Sequence, residues 1–172
     1  MAIEIAPYDP NWPRAFEAER TRILRALGAA ARRIDHHGST AVPGLAAKPV
    51  IDIQISVERL HPLDAYAPAL ARLGYVHVPH PDDAVCPFFH RPADWPHTHH
   101  VHVVVAGGEE ERRTLAFRDY LRAHPEAARE YEALKRHLAE MHDAADFSSH
   151  QAYADGKTEF VDRIVRLGAG RV

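Results

Sequence analysis

A single cysteine, Cys86, stands among 172 residues, so neither an internal disulfide nor a cysteine-built zinc site can form. Long apolar runs are missing too: no stretch reaches the roughly 18 residues that span a bilayer. The opening Met1-Ala-Ile-Glu-Ile has neither the basic nor the apolar segment of a secretory signal. Positive charge is not in excess, since 21 Lys+Arg oppose 24 Asp+Glu for a net −3, and a nucleic-acid backbone normally calls for a basic patch. These absences point to a cytoplasmic chain with neither a membrane nor nucleic acid as partner, its oligomeric state left open. No Gly-x-Ser-x-Gly elbow, no Gly-x-x-x-x-Gly-Lys-Ser/Thr loop and no Gly-x-Gly-x-x-Gly after a strand occurs, which excludes serine-hydrolase, P-loop and dinucleotide-binding readings.

What is present is an ordinary globular composition, 46% hydrophobic and 26% charged, enough to bury a core. Histidine is abundant, 14 in all, with four between His97 and His102. The length suits one domain over 1–172, with a sheet-containing part over 1–108 and a helical part over 109–172.

Asn11-Trp-Pro opens a helix, with Asn11 as the cap and Gly28 as the stop; Trp12, Phe16, Ile23 and Leu27 share its apolar face. Strands are expected at 33–37, 50–57, 75–78, 87–90 and 99–105, and a helix interrupted by Pro62 and Pro68 over 60–73. Beyond Gly107-Gly108 the pattern is helical: 109–123, a second helix from Pro125 carrying Tyr131, Leu134, Leu138 and Met141, and a third from about 150 to 167. The order of elements predicts an α+β fold, a mixed or antiparallel sheet packed against helices.

The strand over 50–57 alternates strictly. Ile51, Ile53, Ile55 and Val57 fall on one face, with Asp52, Gln54 and Ser56 on the other. Such a face is either the wet side of an antiparallel sheet or a site, because a mid-strand carboxylate must be solvated, hydrogen-bonded or holding a cation. Just upstream, Gly38-Ser39-Thr40 offers hydroxyls and backbone N–H groups of the kind that hold phosphate oxygens. Lys48 is either a point charge for that phosphate or an exposed loop lysine. His100 and His102 share a strand face; with Asp52 they compose either a transition-metal ligand set or a polar surface. Arg118 is either a second phosphate clamp or the partner of Asp119 or Glu111. Lys157 falls between Tyr153, Phe160, Ile164 and Leu167 on one helical stripe. It either snorkels outward or is aimed at Asp52, pairing with the carboxylate when the site is empty and with a phosphate when liganded. Cys86 reads as a half-buried strand residue, not a nucleophile.

The run His37-Gly-Ser-Thr-Ala-Val-Pro-Gly-Leu-Ala-Ala-Lys-Pro-Val-Ile-Asp-Ile resembles the signature of the GrpB family. The resemblance extends to Tyr8-Asp-Pro-Asn-Trp-Pro, His100-Val-His-Val-Val, Phe117-Arg-Asp-Tyr-Leu-Arg-Ala-His-Pro and Lys157-Thr-Glu-Phe-Val, and so spans nearly the whole chain. That family is in turn similar to the nucleotidyltransferase superfamily, whose pattern is a glycine–serine element, about a dozen residues, then two acids one apart. The resemblance implies a nucleotidyltransferase-like mixed sheet, with Gly38-Ser39 as the glycine–serine element and Asp52 as the first, catalytic acid. Gln54 stands where the second acid belongs, and His37 where a hydrophobic residue precedes the glycine.

Three functions are therefore carried forward. One is transfer of a nucleotidyl or phosphoryl group, with a nucleotide or other phosphorylated small molecule bound by Gly38, Ser39, Thr40, Lys48, Arg118 and Lys157, and Mg²⁺ or a transition metal as cofactor at Asp52. Another is a non-catalytic binding module on the same scaffold, which Gln54 favours. The last is a hydrolytic transition-metal centre of Asp52, His100 and His102.

Overall fold

The computed structural model describes residues 3–142 and 147–169. Helix α1 (Trp12–Leu27) leads into strand β1 (Arg33–His37), then β2 (Ile51–Val57), the short α2 (Ala67–Arg72), β3 (Val76–Val78), β4 (Phe88–Arg91) and β5 (His99–Val105). Four helices follow: α3 (Glu109–Ala123), α4 (Pro125–Met141), α5 (Phe147–Asp155) and α6 (Thr158–Ala169).

The strands form one mixed sheet in the order β1-β2-β5-β4-β3. Its centre is parallel, β2 against β5, and the other pairs are antiparallel. The alternation of β2 sorts the two faces as period two requires. Ile51, Ile53, Ile55 and Val57, with Val101 and Val103, bury against α1 and α2 in the main core. Asp52, Gln54 and Ser56 take the opposite face, toward the C-terminal helices. There Leu121, Tyr131, Phe160 and Ile164 close a second cluster around Val42 and Leu45 of the loop between β1 and β2.

Four local expectations need correction. Asn11 makes no side-chain cap; its N–H donates instead to Asp9 Oδ1 at 2.8 Å. The helix over 60–73 shrinks to α2 behind a separate turn, Leu63–Ala65, because Pro68 fits only the first turn of a helix. Met141 leaves the apolar stripe of α4 and is exposed, whereas Tyr131 and Leu138 are buried. The last helix is two. Gly156 and Lys157 form a turn between α5 and α6, with Gly156 so close to Leu138 that a Cβ would lie 2.6 Å from its Cδ2. Lys157 therefore sits at a helix junction, not mid-stripe, and Leu167 is exposed.

Candidate functional site

The turn after β1 starts at Gly38, whose φ of 68° lies in the left-handed region. A Cβ at this position would sit 2.4 Å from Asp52 Oδ2. Both observations call for glycine, and together they press the turn directly against the carboxylate. Register does the rest: Asp52 lies between His37 of β1 and His100 of β5, and Gln54 pairs with His102.

Asp52, His100 and His102 thus share a face, as expected. His100 Nδ1 lies 3.3 Å from Asp52 Oδ1, and its Nε2 lies 3.3 Å from His97 Nδ1. Burial acts to raise the Asp52 carboxyl, but the His100 ring outweighs it and holds the group below the usual carboxylate range. His102 turns away. Its Nδ1 faces Cys86 Sγ at 3.8 Å and its ring meets His37 edge-on at 5.0 Å. Burial pushes His102 down to about 3 and the Cys86 thiol up to about 12, so both are neutral near pH 7. Among the described residues no three His, Cys, Asp or Glu side chains are grouped to hold a metal ion. The expected set of Asp52, His100 and His102 therefore shares a face without closing into a cage.

Above this face opens a cleft of about 800 Å³ lined by Ser39, Thr40, Lys48, Asp52, His100, His102 and Lys157, among others. Thr40 is buried and its hydroxyl is engaged, donating to Val50 O at 3.3 Å and lying 2.9 Å from His36 Nε2, so it braces the turn. Ser39 Oγ accepts a bond of 2.9 Å from Lys135 Nζ, which also donates to Ala46 O. Lys135, 2% exposed, is the residue that sequence reasoning missed. Its position on α4 reads simply as one more polar residue, and only its place between Tyr131 and Leu138 on the buried face hinted otherwise.

Two more ammonium groups meet on one ring. Lys48 Nζ stands 4.1 Å and Lys157 Nζ 4.3 Å from the centre of Tyr153, which is core and cleft wall at once. Lys157 forms no ion pair with Asp52, so the first of its two expected roles, pairing with that carboxylate, is not met; its ammonium lies over the ring instead. Burial lowers all three amines: Lys48 and Lys157 to about 8, and Lys135, also repelled by Lys157, to about 7.

One candidate leaves the site. Arg118 donates to His36 O at 3.0 Å and to Asp119 Oδ1 at 2.8 Å, tying α3 to the outer edge of β1. It does not line the cleft and clamps no phosphate there. Gln54 is 0% exposed and has no hydrogen-bond partner for either amide atom. The position of the second acid is thus closed to solvent.

This glycine–serine turn packed on an aspartate strand in a mixed sheet defines a nucleotidyltransferase-like α+β fold. The Cid1 poly(U) polymerase is a structural neighbour at a TM-score of 0.53 and 13% identity, over 80% of this chain and 44% of that one. More closely, the chain resembles the crystal structure of conserved protein GrpB from Enterococcus faecalis, with a TM-score of 0.83 and 32% identity over 96% of both chains. It is also 38% identical over 167 residues to the UPF0157 protein BH1888 of Halalkalibacterium halodurans, covering 96% of this chain and 82% of that protein. The GrpB protein family model matches residues 2–167, and the chain belongs to the GrpB family.

Proposed function

We propose that this chain binds a phosphorylated small molecule, its phosphate oxygens seated on Ser39 and among Lys48, Lys135 and Lys157. One observation carries the reading: Lys48, Lys135 and Lys157 all line one cleft in which Asp52 is paired with His100 rather than with any of them. Partly desolvated, unneutralised amines are poised to gain from an anion, because charge-assisted bonds to phosphate are the strong ones. The nucleotidyltransferase-like fold, whose neighbours include a poly(U) polymerase, supports a nucleotide as one such molecule.

Binding without transfer is the reading that Gln54 favours. Metal-assisted nucleotidyl transfer needs several carboxylates to gather Mg²⁺ beside the phosphates. Here the second position is a buried amide, and the donor set does not fit a divalent-metal centre. No metal step is part of the proposal.

Titration calorimetry and thermal denaturation with inorganic triphosphate test it. Triphosphate at about 100 times its Kd is expected to add ~2.7 kcal/mol of stability. Lys157→Met, which keeps the apolar stem, should weaken binding about tenfold or more. Absence of triphosphate binding to the wild-type chain would refute the reading.

A further inference from the structure

Of the 21 Lys+Arg residues in the chain only three are lysine, Lys48, Lys135 and Lys157, and all three line the one cleft above the Asp52 strand. Among the described arginines only Arg113 reaches that cleft, and its guanidinium is paired with Asp162. This segregation carries information, because arginine would supply the charge as well or better. A guanidinium stacks on an aromatic ring and grips phosphate through two parallel bonds, whereas an ammonium is a point charge. What lysine alone can offer is a neutral amine with a free electron pair, since arginine is not deprotonated in proteins.

The three amines are not placed alike. Lys135, 2% exposed, is committed to Ser39 Oγ and Ala46 O, which makes it a fixed charge at the turn. The ammonium groups of Lys48 and Lys157 form no hydrogen bond or ion pair with any described residue, and both stand against the Tyr153 ring, 4.1 and 4.3 Å from its centre. Two like charges on one ring oppose each other. Lys157 meets the charge of Lys48 on top of its own burial, Asp52 pulls the other way, and the balance leaves the amine at about 8. A desolvated lysine beside a second cation is the arrangement that makes an amine nucleophilic near neutral pH.

We propose that Lys157 is a nucleophile that captures a phosphorylated aldehyde or ketone as an imine, with the phosphate held at Ser39 and Lys135 and with Lys48 as the neighbouring cation. This assignment rests on the anion-binding reading and names the ligand class of that site, a phosphate ester with a free carbonyl. In the step, the electron pair of neutral Lys157 Nζ attacks the carbonyl carbon and forms the C–N bond, while the C=O π pair moves to oxygen. That oxygen then leaves as water with the two amine protons, and the nitrogen pair closes the C=N bond. No oxidant or reductant is consumed, and the capture is reversible.

Glycolaldehyde phosphate with cyanoborohydride, which reduces an imine to a stable secondary amine, tests the proposal on the intact chain near neutral pH, read by peptide mass spectrometry. The expected result is a reduced adduct on Lys157 that forms at least about tenfold faster than with unphosphorylated glycolaldehyde and is suppressed by inorganic triphosphate. Lys157→Arg keeps a positive charge but supplies no free electron pair, so the cleft adduct should be lost in that variant; should it fail to fold, site mapping on the wild-type chain decides alone. If calorimetry shows triphosphate binding but Lys157 stays unmodified, or the adduct falls on Lys48 or Lys135 instead, this inference is overturned while the anion site stands. An adduct on Lys157 that forms equally fast without the phosphate, or that triphosphate does not suppress, overturns the ligand class. If triphosphate itself fails to bind, the anion site falls and this assignment falls with it.

Discussion

Single residues decide whether the cleft exists. Gly38→Ala must hold a side chain at φ 68° and place a Cβ 2.4 Å from Asp52 Oδ2. The two effects should together cost about 2–4 kcal/mol in urea denaturation. At His100 the carboxylate can only accept, so the proton resides on Nδ1. Imidazole nitrogen NMR should therefore show His100 carrying a proton on Nδ1, and Asp52→Asn should weaken that preference. The lysines set a pH dependence of known sign. Their folded pKa values, about 7 to 8, lie below an ordinary value near 10.4, so between those limits the unfolded chain binds more protons and stability rises with pH. Measured melting temperatures should climb from pH 7 toward pH 10, and bound triphosphate, which favours the charged amines, should flatten the slope.

Among elements, the junctions matter more than the helices themselves. The break at Gly156 and Lys157 lets α5 present Tyr153 and delivers Lys157 onto its ring at 4.3 Å, whereas one continuous helix would fix the lysine by the stripe alone. Arg118 works at another junction, joining α3 to β1 through His36 O. Arg118→Ala is expected to destabilise by roughly 1.5–3 kcal/mol, the usual worth of a bond to a charged group. Triphosphate affinity should not change. A comparable loss of affinity in Arg118→Ala and Lys157→Met would show that overall charge, and not the cleft, attracts the anion.

At the scale of the whole molecule, histidine governs acid behaviour. His36 and His99 are held near 4 by burial, and His102 near 3, against 6.5 in an unfolded chain. Between those values the unfolded state binds the extra protons, so stability present above about pH 6.5 is lost progressively as pH falls toward 3 to 4. Denaturant midpoints measured across that range should fall steadily, and His36→Gln should reduce the slope. No helix among the described residues is long and apolar enough to cross a membrane.

Much of this was written in local pattern. The alternation over 51–57 and the helical stripes through Tyr131 and Phe160 are short-range regularities that backbone geometry converts directly into faces, whereas the spacing of Gly38-Ser39 from Asp52 was legible only through the family resemblance. That is why the α+β order and the two faces of β2 could be read from the chain, while the choice of a mixed over an antiparallel sheet came with the resemblance. What tertiary structure alone decided are the meetings between distant elements. Lys135 reaches Ser39 across 96 residues, Arg118 turns to β1 instead of the cleft, and Gln54 is fully buried. No periodicity encodes these contacts, because they depend on strand order, register and helix docking, and those are set by packing over the entire fold.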